Sequence, residues 1–243
     1  MRQKYTAGFA HGALRDERDF LPLALRTQHN ISRNGMMVLG IPGLNSRSYV
    51  TATHSNNGVM VLKNVTSRWV IDRRGVVSEA LVSKIYSELQ LIKSEFRLLH
   101  CGDQTFLTYT YNDPELMPMQ VGGVPWALQL ACIVDQTMGV LDRAKNLIFS
   151  DDNQRVAFFD FEAHSFFDPP ELSFTRIQES YLQICASFDV IPSARYADAF
   201  SITSLAVRKV FANLLRNYPS GHVESALLNQ YSLRMAALDR LKR

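Results

Sequence analysis

The chain is organised around the stretch Val140-Leu-Asp-Arg-Ala-Lys-Asn-Leu-Ile-Phe-Ser-Asp-Asp-Asn-Gln-Arg-Val-Ala-Phe-Phe-Asp-Phe-Glu162. It contains two short apolar runs, 147–149 and 156–159, that are separated by polar residues. The short polar side chains at 151–153 tolerate the backbone geometry of a tight turn. Because the apolar runs have the length of strands and are joined by such a turn, the stretch predicts a β-hairpin.

Polar side chains lie at the open end of this hairpin. Asn146 directly precedes the first strand and Asp160 directly follows the second, so strand pairing brings the two residues to the same end. Asp142 lies in the turn that leads into the hairpin. Carboxylate and amide oxygens are the hard ligands that Mg²⁺ takes, with room left for phosphate oxygens and water. The stretch therefore predicts a Mg²⁺-nucleotide site in which Asn146 and Asp160 bind the metal.

The same stretch resembles the protein-kinase-like superfamily, in which a catalytic loop ending in Asn is followed by a hairpin ending in Asp-Phe-Gly or Asp-Phe-Glu. Segment 138–146 is similar to the Asp-Arg-His-x-x-Asn loop of the HipA-like and phosphoinositide-kinase-like branch, and 158–166 is similar to its metal-binding strand. Two features differ: Asp142 and Asn146 are four steps apart instead of five, and the His after Asp-Arg is missing. Either the loop is shortened by one residue or Asp142 is not the equivalent acid, in which case Asp135 is a second candidate.

This resemblance implies an α+β fold with two lobes, a small lobe made of an antiparallel β-sheet with one main helix and a mostly helical large lobe. We therefore expect one kinase-like domain with an N-terminal extension at 1–35, the small lobe at 36–112 and the large lobe at 113–243. With 243 residues, the chain is long enough to bury a large core in such an arrangement.

Three apolar runs separated by turn residues predict the first strands of the small lobe. They are 36–41, 49–53 and 59–63. The turn Gly43-Leu-Asn-Ser-Arg-Ser48 offers backbone N–H groups and small hydroxyls that can approach phosphate oxygens closely. It resembles the Ser-rich phosphate loops of the HipA-like and phosphoinositide branches, and this resemblance implies that Ser46 and Ser48 bind the nucleotide.

Lys63 ends the third run, which places its ammonium group beside the sheet instead of in open water. Val-Leu-Lys matches the third-strand lysine of the family. The resemblance implies that Lys63 neutralises the α- and β-phosphates and that a carboxylate from the next helix holds it there. Apolar residues at helical spacing predict this helix over 76–89, with Ser78 as a candidate cap and Glu79, in the first turn, as the candidate partner of Lys63.

A second hairpin is predicted at 96–111, followed by a break in the pattern at 112–118. By resemblance, this break is the hinge between the lobes, where adenine is expected to bond to the backbone near Tyr111. The rest of the chain is predicted to be mostly helical. The expected helices are 126–138, 172–188, 194–218 and 223–241.

Composition limits the other classes of function. The formal net charge is +3, which gives no argument for a nucleic-acid partner. No apolar run reaches the ~18–20 residues that span a bilayer, and the N-terminus shows no signal-peptide core, so we expect a cytoplasmic protein or an effector delivered into a host cytosol. The 3 cysteines lie singly in apolar contexts without metal-ligand spacing, and we expect reduced core thiols.

These features together predict an enzyme, a kinase that uses ATP and Mg²⁺ to phosphorylate a Ser or Thr hydroxyl of a protein. Lys63, Glu79 and Asp142 form its expected catalytic set, in which Asp142 orients the acceptor. Two alternatives remain open. In the first alternative, the acceptor is a phosphoinositide or another small alcohol. In the second, the chain is a nucleotide-binding pseudokinase that acts as an interaction module. The shortened loop and the missing His favour the latter alternative.

Overall fold

The computed structural model describes the chain in segments. These are residues 5–8, 48–51, 60–67, 73–93, 96–101, 104–110, 112, 114–217 and 225–241. They belong to two compact units, one formed by Met1–Val76 with Ser94–Tyr111 and the other by Val77–Lys93 with Asn112–Arg243. The protein has a mixed α+β fold, and each unit is described by itself below.

The first unit is built on an antiparallel β-sheet. Across the sheet its strands follow the order β1-β4-β5-β3-β2. The strands are β1 (Tyr5–Gly8), β2 (Ser48–Thr51), β3 (Met60–Asn64), β4 (Arg97–Cys101) and β5 (Gln104–Thr110). The central strand β5 pairs with β4 on one side and β3 on the other. On one face, the Phe96 ring stacks on the Tyr109 ring with centroids 3.9 Å apart, which adds aromatic packing to the sheet core.

Four of these strands were predicted from the sequence and are confirmed. The strands β2 and β3 correspond to the runs at 49–53 and 59–63, and β4 with β5 forms the hairpin expected at 96–111. The run at 36–41 lies outside the described residues. The strand β1 was not predicted, and it pairs with β4 so that Tyr5 lies opposite Cys101.

The second unit is mostly helical. Its helices are α1 (Arg73–Glu88), α2 (Gly123–Met138), α3 (Phe174–Ser187), α4 (Tyr196–Asn217) and α5 (Ser225–Leu241), with the start of α1 in the first unit. The predicted positions of α2 to α5 are confirmed to within a few residues. Helix α2 is buried along nearly its whole length and packs against α3, α4 and α5. A helix that is apolar on all sides belongs in the interior, so α2 forms the core of this unit.

The end of α2 fixes how the chain leaves the core. Gly139 has φ 77°, and its N–H donates to the Asp135 carbonyl oxygen at 2.7 Å, as is common where a helix ends on glycine. A Cβ on Gly139 would lie 2.6 Å from the carbonyl carbon of Ser165. Glycine is therefore required both by the backbone conformation and by the segment packed beside it.

The start of α1 corrects two details of the sequence analysis. The helix begins at Arg73, so Ser78 does not cap it but lies in its interior with no exposed surface. Glu79 consequently lies in the second turn instead of the first, and it is also fully buried. The residues that start the helix, Arg73, Arg74 and Gly75, carry no cap signal, which is why the pattern pointed to a later start.

Two other expectations can be compared with the described residues. Cys132 and Cys185 are free and buried, which confirms reduced core thiols at these positions. Among the described residues, no helix is both long and apolar enough to cross a lipid bilayer.

Candidate functional site

The hairpin predicted from the central stretch is present in the second unit. Its strands are β6 (Leu147–Phe149) and β7 (Val156–Phe158), and they pair antiparallel. One further bond extends the ladder, because the Phe159 N–H donates to the Asn146 carbonyl oxygen at 2.9 Å. Asn146 and Asp160 therefore lie at the same end of the hairpin, as the sequence predicts.

The opposite end of the hairpin is a polar turn held by its own side chains. Ser150 Oγ and the Gln154 N–H both donate to Asp152 Oδ1, at 2.5 and 2.9 Å. The bond from Ser150 is the main reason that the pKa of Asp152 lies below its ordinary value. Asn153 has φ 56°, a left-handed conformation that Asn adopts more readily than most residues. The short polar residues thus form the turn that the sequence predicted.

The hairpin is also fixed to the segment that precedes α2. Glu115 Oε1 accepts a hydrogen bond from the Asp151 N–H at 2.6 Å, and the Glu115 carbonyl oxygen accepts one from Arg155 Nη1 at 2.7 Å. Gln120 Nε2 donates to the Val156 carbonyl oxygen at 3.0 Å. These bonds involve the turn and the start of β7, so the hairpin is held by contacts outside its own ladder as well.

Asp160 has an unusual backbone conformation. Its φ is 46°, in the left-handed region, which is uncommon for residues other than glycine. Its neighbours Phe159 and Phe161 are buried at 3% and 0% exposure, while Asp160 itself is partly exposed. Conformations of this kind cost about 1–3 kcal/mol and cluster at functional sites, where the surrounding structure imposes them. Asp160 shares this conformation with Asp142 and Asn153 of the same stretch.

Asp142 lies beside the hairpin in an exposed position. It also has a left-handed backbone, with φ 63°, and precedes a single 3₁₀ turn, Arg143–Lys145. Its carboxylate lies 3.6 Å from the Lys145 ammonium, and its carbonyl oxygen accepts a hydrogen bond from Asn146 Nδ2 at 3.3 Å. An ion pair this exposed contributes ~1 kcal/mol at most, so the Asp142 carboxylate can exchange its partner.

The structure corrects the alternative assignment of Asp135 as the catalytic acid. Asp135 is buried, and its carboxylate is engaged by Arg143, whose Nε donates to Oδ2 at 2.7 Å and whose Nη2 donates to Oδ1 at 3.1 Å. The Tyr86 hydroxyl also donates to Oδ1, at 2.7 Å. With both oxygens bonded inside the core, Asp135 serves as the counter-ion of a buried arginine.

Arg143 is the residue that sequence analysis missed. It is 5% exposed, and its guanidinium lies 5.2 Å from the centroid of the Tyr86 ring and 5.1 Å from that of Phe161. Burial alone would lower the pKa of Arg143, but its interactions with Asp135, Tyr86 and Asp160 together outweigh burial and raise that pKa. Arg143 is therefore a fully charged group inside the unit, with a matched carboxylate.

Arg143 also contacts the backbone at the open end of the hairpin. Its Nη1 donates to the Asn146 carbonyl oxygen at 3.2 Å and to the Phe159 carbonyl oxygen at 2.5 Å. One carbonyl belongs to Asn146 itself, and the other immediately precedes Asp160. A single guanidinium nitrogen thus joins the two chain segments that carry the predicted metal ligands.

The other predicted site residues are placed as follows. Lys63 is 8% exposed in β3, where it lies opposite Ser48 in β2. Glu79 is buried in the part of α1 that belongs to the second unit. Because Lys63 and Glu79 belong to different units, their pairing stays a prediction. Ser46 and Tyr111 lie outside the described residues, and their nucleotide contacts stay predictions as well.

The described residues contain no cluster of three or more His, Cys, Asp or Glu side chains that could hold a metal ion. His164, which follows the hairpin, is exposed, and its Nδ1 lies 3.6 Å from a carboxylate oxygen of Glu162. Asn146 and Asp160 instead offer one amide oxygen and one carboxylate. Mg²⁺ is usually bound through one or two carboxylates together with substrate phosphates and water, so this donor set suits it better than a metal caged by protein alone.

Comparisons with protein-family models, with curated proteins and with solved structures find no match for this chain. The kinase-like resemblance accordingly rests on the sequence motifs alone.

Proposed function

We propose that this chain is an ATP- and Mg²⁺-dependent phosphotransferase that acts on a Ser or Thr hydroxyl of a protein, within a two-lobed kinase-like fold. The observation that carries the proposal is that strand pairing brings Asn146 and Asp160 to the same end of the hairpin. The mixed α+β content and the division into a sheet unit and a helical unit support the fold. Asp160 also has a left-handed backbone, a conformation that clusters at functional sites.

The proposed chemistry assigns a task to each residue. Bound Mg²⁺-ATP would supply the phosphoanhydride bond and the positive charge that offsets negative charge on the transferred group. Asn146 and Asp160 would hold the metal through their side-chain oxygens. Asp142 would accept the proton of the acceptor hydroxyl as its oxygen bonds to the γ-phosphorus and ADP leaves. In such sites most of the acceleration comes from alignment and from charge stabilisation.

Lys63 and Glu79 complete the proposed site. Their assignment comes from the order of the sequence motifs, and their burial supports it, because Lys and Glu are almost never fully buried without a partner. In the proposal, Lys63 neutralises the α- and β-phosphates and Glu79 orients Lys63. The expected cytoplasmic or host-cytosolic location also remains a proposal.

The proposal is tested by substituting the metal ligand. We expect Asp160→Ala to abolish transfer of radiolabelled phosphate from Mg²⁺-ATP to protein, because it removes the carboxylate ligand. Asp151→Ala is the matched control, since Asp151 is an exposed aspartate at the other end of the same hairpin. We expect this control to retain transfer. If the wild-type protein labels neither itself nor any lysate protein, and Asp160→Ala behaves in the same way, the proposed transfer is refuted.

A second candidate function is nucleotide binding without turnover. It is favoured by Asp142, whose spacing from Asn146 is one residue short of the family pattern and whose carboxylate is paired with Lys145 in solvent. Binding to the native state raises its stability by about 2.7 kcal/mol when the ligand is at 100 times its Kd. A thermal shift with Mg²⁺-ATP, without labelling of protein, phosphoinositide or small alcohols, would favour the binding module. Labelling of lipid instead of protein would identify the acceptor as a phosphoinositide.

A further inference from the structure

We infer that Arg143 is a positioning residue that sets the geometry of the metal site at Asn146 and Asp160. It does so as part of the arginine cluster, which consists of Tyr86, Asp135 and Arg143. This inference rests on the proposed function, since it concerns the same site. It adds that metal affinity depends on a buried side chain that is not itself a ligand.

The arginine cluster has one fixed side and one side that bonds to the hairpin. On the fixed side, Asp135 lies in the core helix α2 and accepts two hydrogen bonds from Arg143 and one from Tyr86. On the other side, Nη1 of Arg143 bonds to the carbonyl oxygens of Asn146 and Phe159. The planar guanidinium of Arg143 therefore connects α2 to the open end of the hairpin.

The arginine cluster also explains how Asp160 keeps its left-handed backbone. The carbonyl oxygen of Phe159, on one side of Asp160, is bonded to Arg143. The ring of Phe161, on the other side, lies 4.7 Å from the Tyr86 ring and faces the same guanidinium. A strained residue persists where its surroundings determine its conformation from more than one direction. With both neighbours held by the arginine cluster, the backbone of Asp160 is fixed from both sides.

The geometry requires a guanidinium and not only a positive charge. Arg presents donors in a rigid planar fork, so it can bond to a carboxylate with two nitrogens and to carbonyls with the third. Lys carries its donors on one nitrogen and cannot reach Asp135 and both hairpin carbonyls together. Arg143→Lys therefore keeps the charge near Asp135 while it loosens the hairpin, which makes it the variant of choice.

A second buried arginine provides a matched control. Arg234 in α5 is buried, and it donates to the carbonyl oxygens of Thr137, Ser165, Phe166 and Asp168. It lies over the Phe166 ring, with the guanidinium carbon 5.0 Å from the centroid. These contacts hold the end of α2 and the segment after the hairpin. Arg234→Lys therefore disturbs a buried guanidinium of the same unit without removing a bond to Asn146 or Phe159.

The test is direct binding of Mn²⁺, as a paramagnetic substitute for Mg²⁺, in the presence of a non-hydrolysable ATP analogue. Electron paramagnetic resonance measures the free ion, and hence the Kd, for the full chain and for each variant. Loss of a group that orients a metal ligand typically weakens metal affinity about 10–100-fold. We expect a rise in Kd of this size for Arg143→Lys. For Arg234→Lys we expect Kd to change by less than about 2-fold, because this variant removes no bond to Asn146 or Phe159 and so leaves the orientation of the metal ligands unchanged.

The outcomes separate the inference from the proposed function. An unchanged Kd in folded Arg143→Lys, or an equal rise in Arg234→Lys, overturns the inference and leaves the proposed function intact. If Arg143→Lys does not fold, Tyr86→Phe replaces it, because this variant removes only the hydroxyl that orients Asp135. We then expect a smaller rise in Kd, and an unchanged Kd overturns the inference. Wild-type protein that binds no Mn²⁺ with the nucleotide refutes the proposed function, and the inference with it.

Discussion

Replacing Arg143 with methionine should strongly destabilise the second unit. The variant leaves the Asp135 carboxylate charged in the core, with the Tyr86 hydroxyl as its remaining partner. Removing one member of a buried ion pair costs about 3–5 kcal/mol. The Phe159 carbonyl oxygen also loses its hydrogen bond from Arg143, and a hydrogen bond from a charged group contributes about 1.5–3 kcal/mol. Because the two effects overlap as the site relaxes, we expect a total loss of about 4–5 kcal/mol in the free energy of unfolding.

The double variant Arg143→Met/Asp135→Leu separates the ion pair from general packing. It removes both charges together, and replacing a buried pair by apolar residues of similar volume is often neutral or stabilising. The Tyr86 hydroxyl keeps an acceptor in the Ala131 carbonyl oxygen, which lies 3.5 Å away. We therefore expect the double variant to be more stable than Arg143→Met by about 2 kcal/mol or more.

Urea denaturation followed by far-ultraviolet circular dichroism measures these differences. The wild type, Arg143→Met, Asp135→Leu and the double variant form a thermodynamic cycle. For a chain of this size, 1 kcal/mol corresponds to about 2–4 °C in Tm, so thermal melting should show the same order with a fall of roughly 8–20 °C for Arg143→Met. Additive losses, with the double variant the least stable of the four, would refute the account of Arg143 and Asp135 as a coupled buried pair.

Two further predictions concern a helix end and the other predicted pair. Gly139→Ala and Gly123→Ala both place alanine at positive φ, but only at Gly139 would the new Cβ lie closer than 3 Å to backbone atoms. We therefore expect Gly139→Ala to lose about 1–3 kcal/mol more stability than Gly123→Ala, as measured by thermal melting. Equal losses would contradict this. If buried Lys63 and Glu79 pair as the sequence predicts, Lys63→Met and Glu79→Gln should show a coupling energy of about 0.5–3 kcal/mol in urea denaturation. Strictly additive effects would remove that pair from the site.

The hairpin could be predicted from the sequence because its determinants are local. Apolar runs at 147–149 and 156–159 and short polar residues at 151–153 act on neighbouring backbone, so pattern and turn chemistry agree. The meeting of Asn146 and Asp160 follows from hairpin geometry alone. Helices α2 to α5 were predictable for a related reason, since each carries its own apolar periodicity and Pro or Gly signals separate successive helices.

The role of Arg143 could not be predicted because it depends on non-local contacts. An arginine in a polar turn is usually a solvated side chain, and nothing in segment 142–146 shows that the left-handed backbone of Asp142 directs its neighbour inward. A usable signal was Asp135, the one charged residue of the buried helix α2, because such a charge requires a counter-ion. The pairing of β1 with β4 was missed for the same reason, since partners far apart in sequence leave no local trace.

The central claim is that Asn146 and Asp160 hold one divalent ion together with the phosphates of ATP. A crystal structure of the protein with Mg²⁺ and a non-hydrolysable ATP analogue tests it most directly. We predict a metal ion bound by a side-chain oxygen of each residue at about 2.0–2.1 Å, with phosphate oxygens completing the coordination. A nucleotide bound elsewhere, or a Mg²⁺ ion coordinated by neither side chain, would contradict the account.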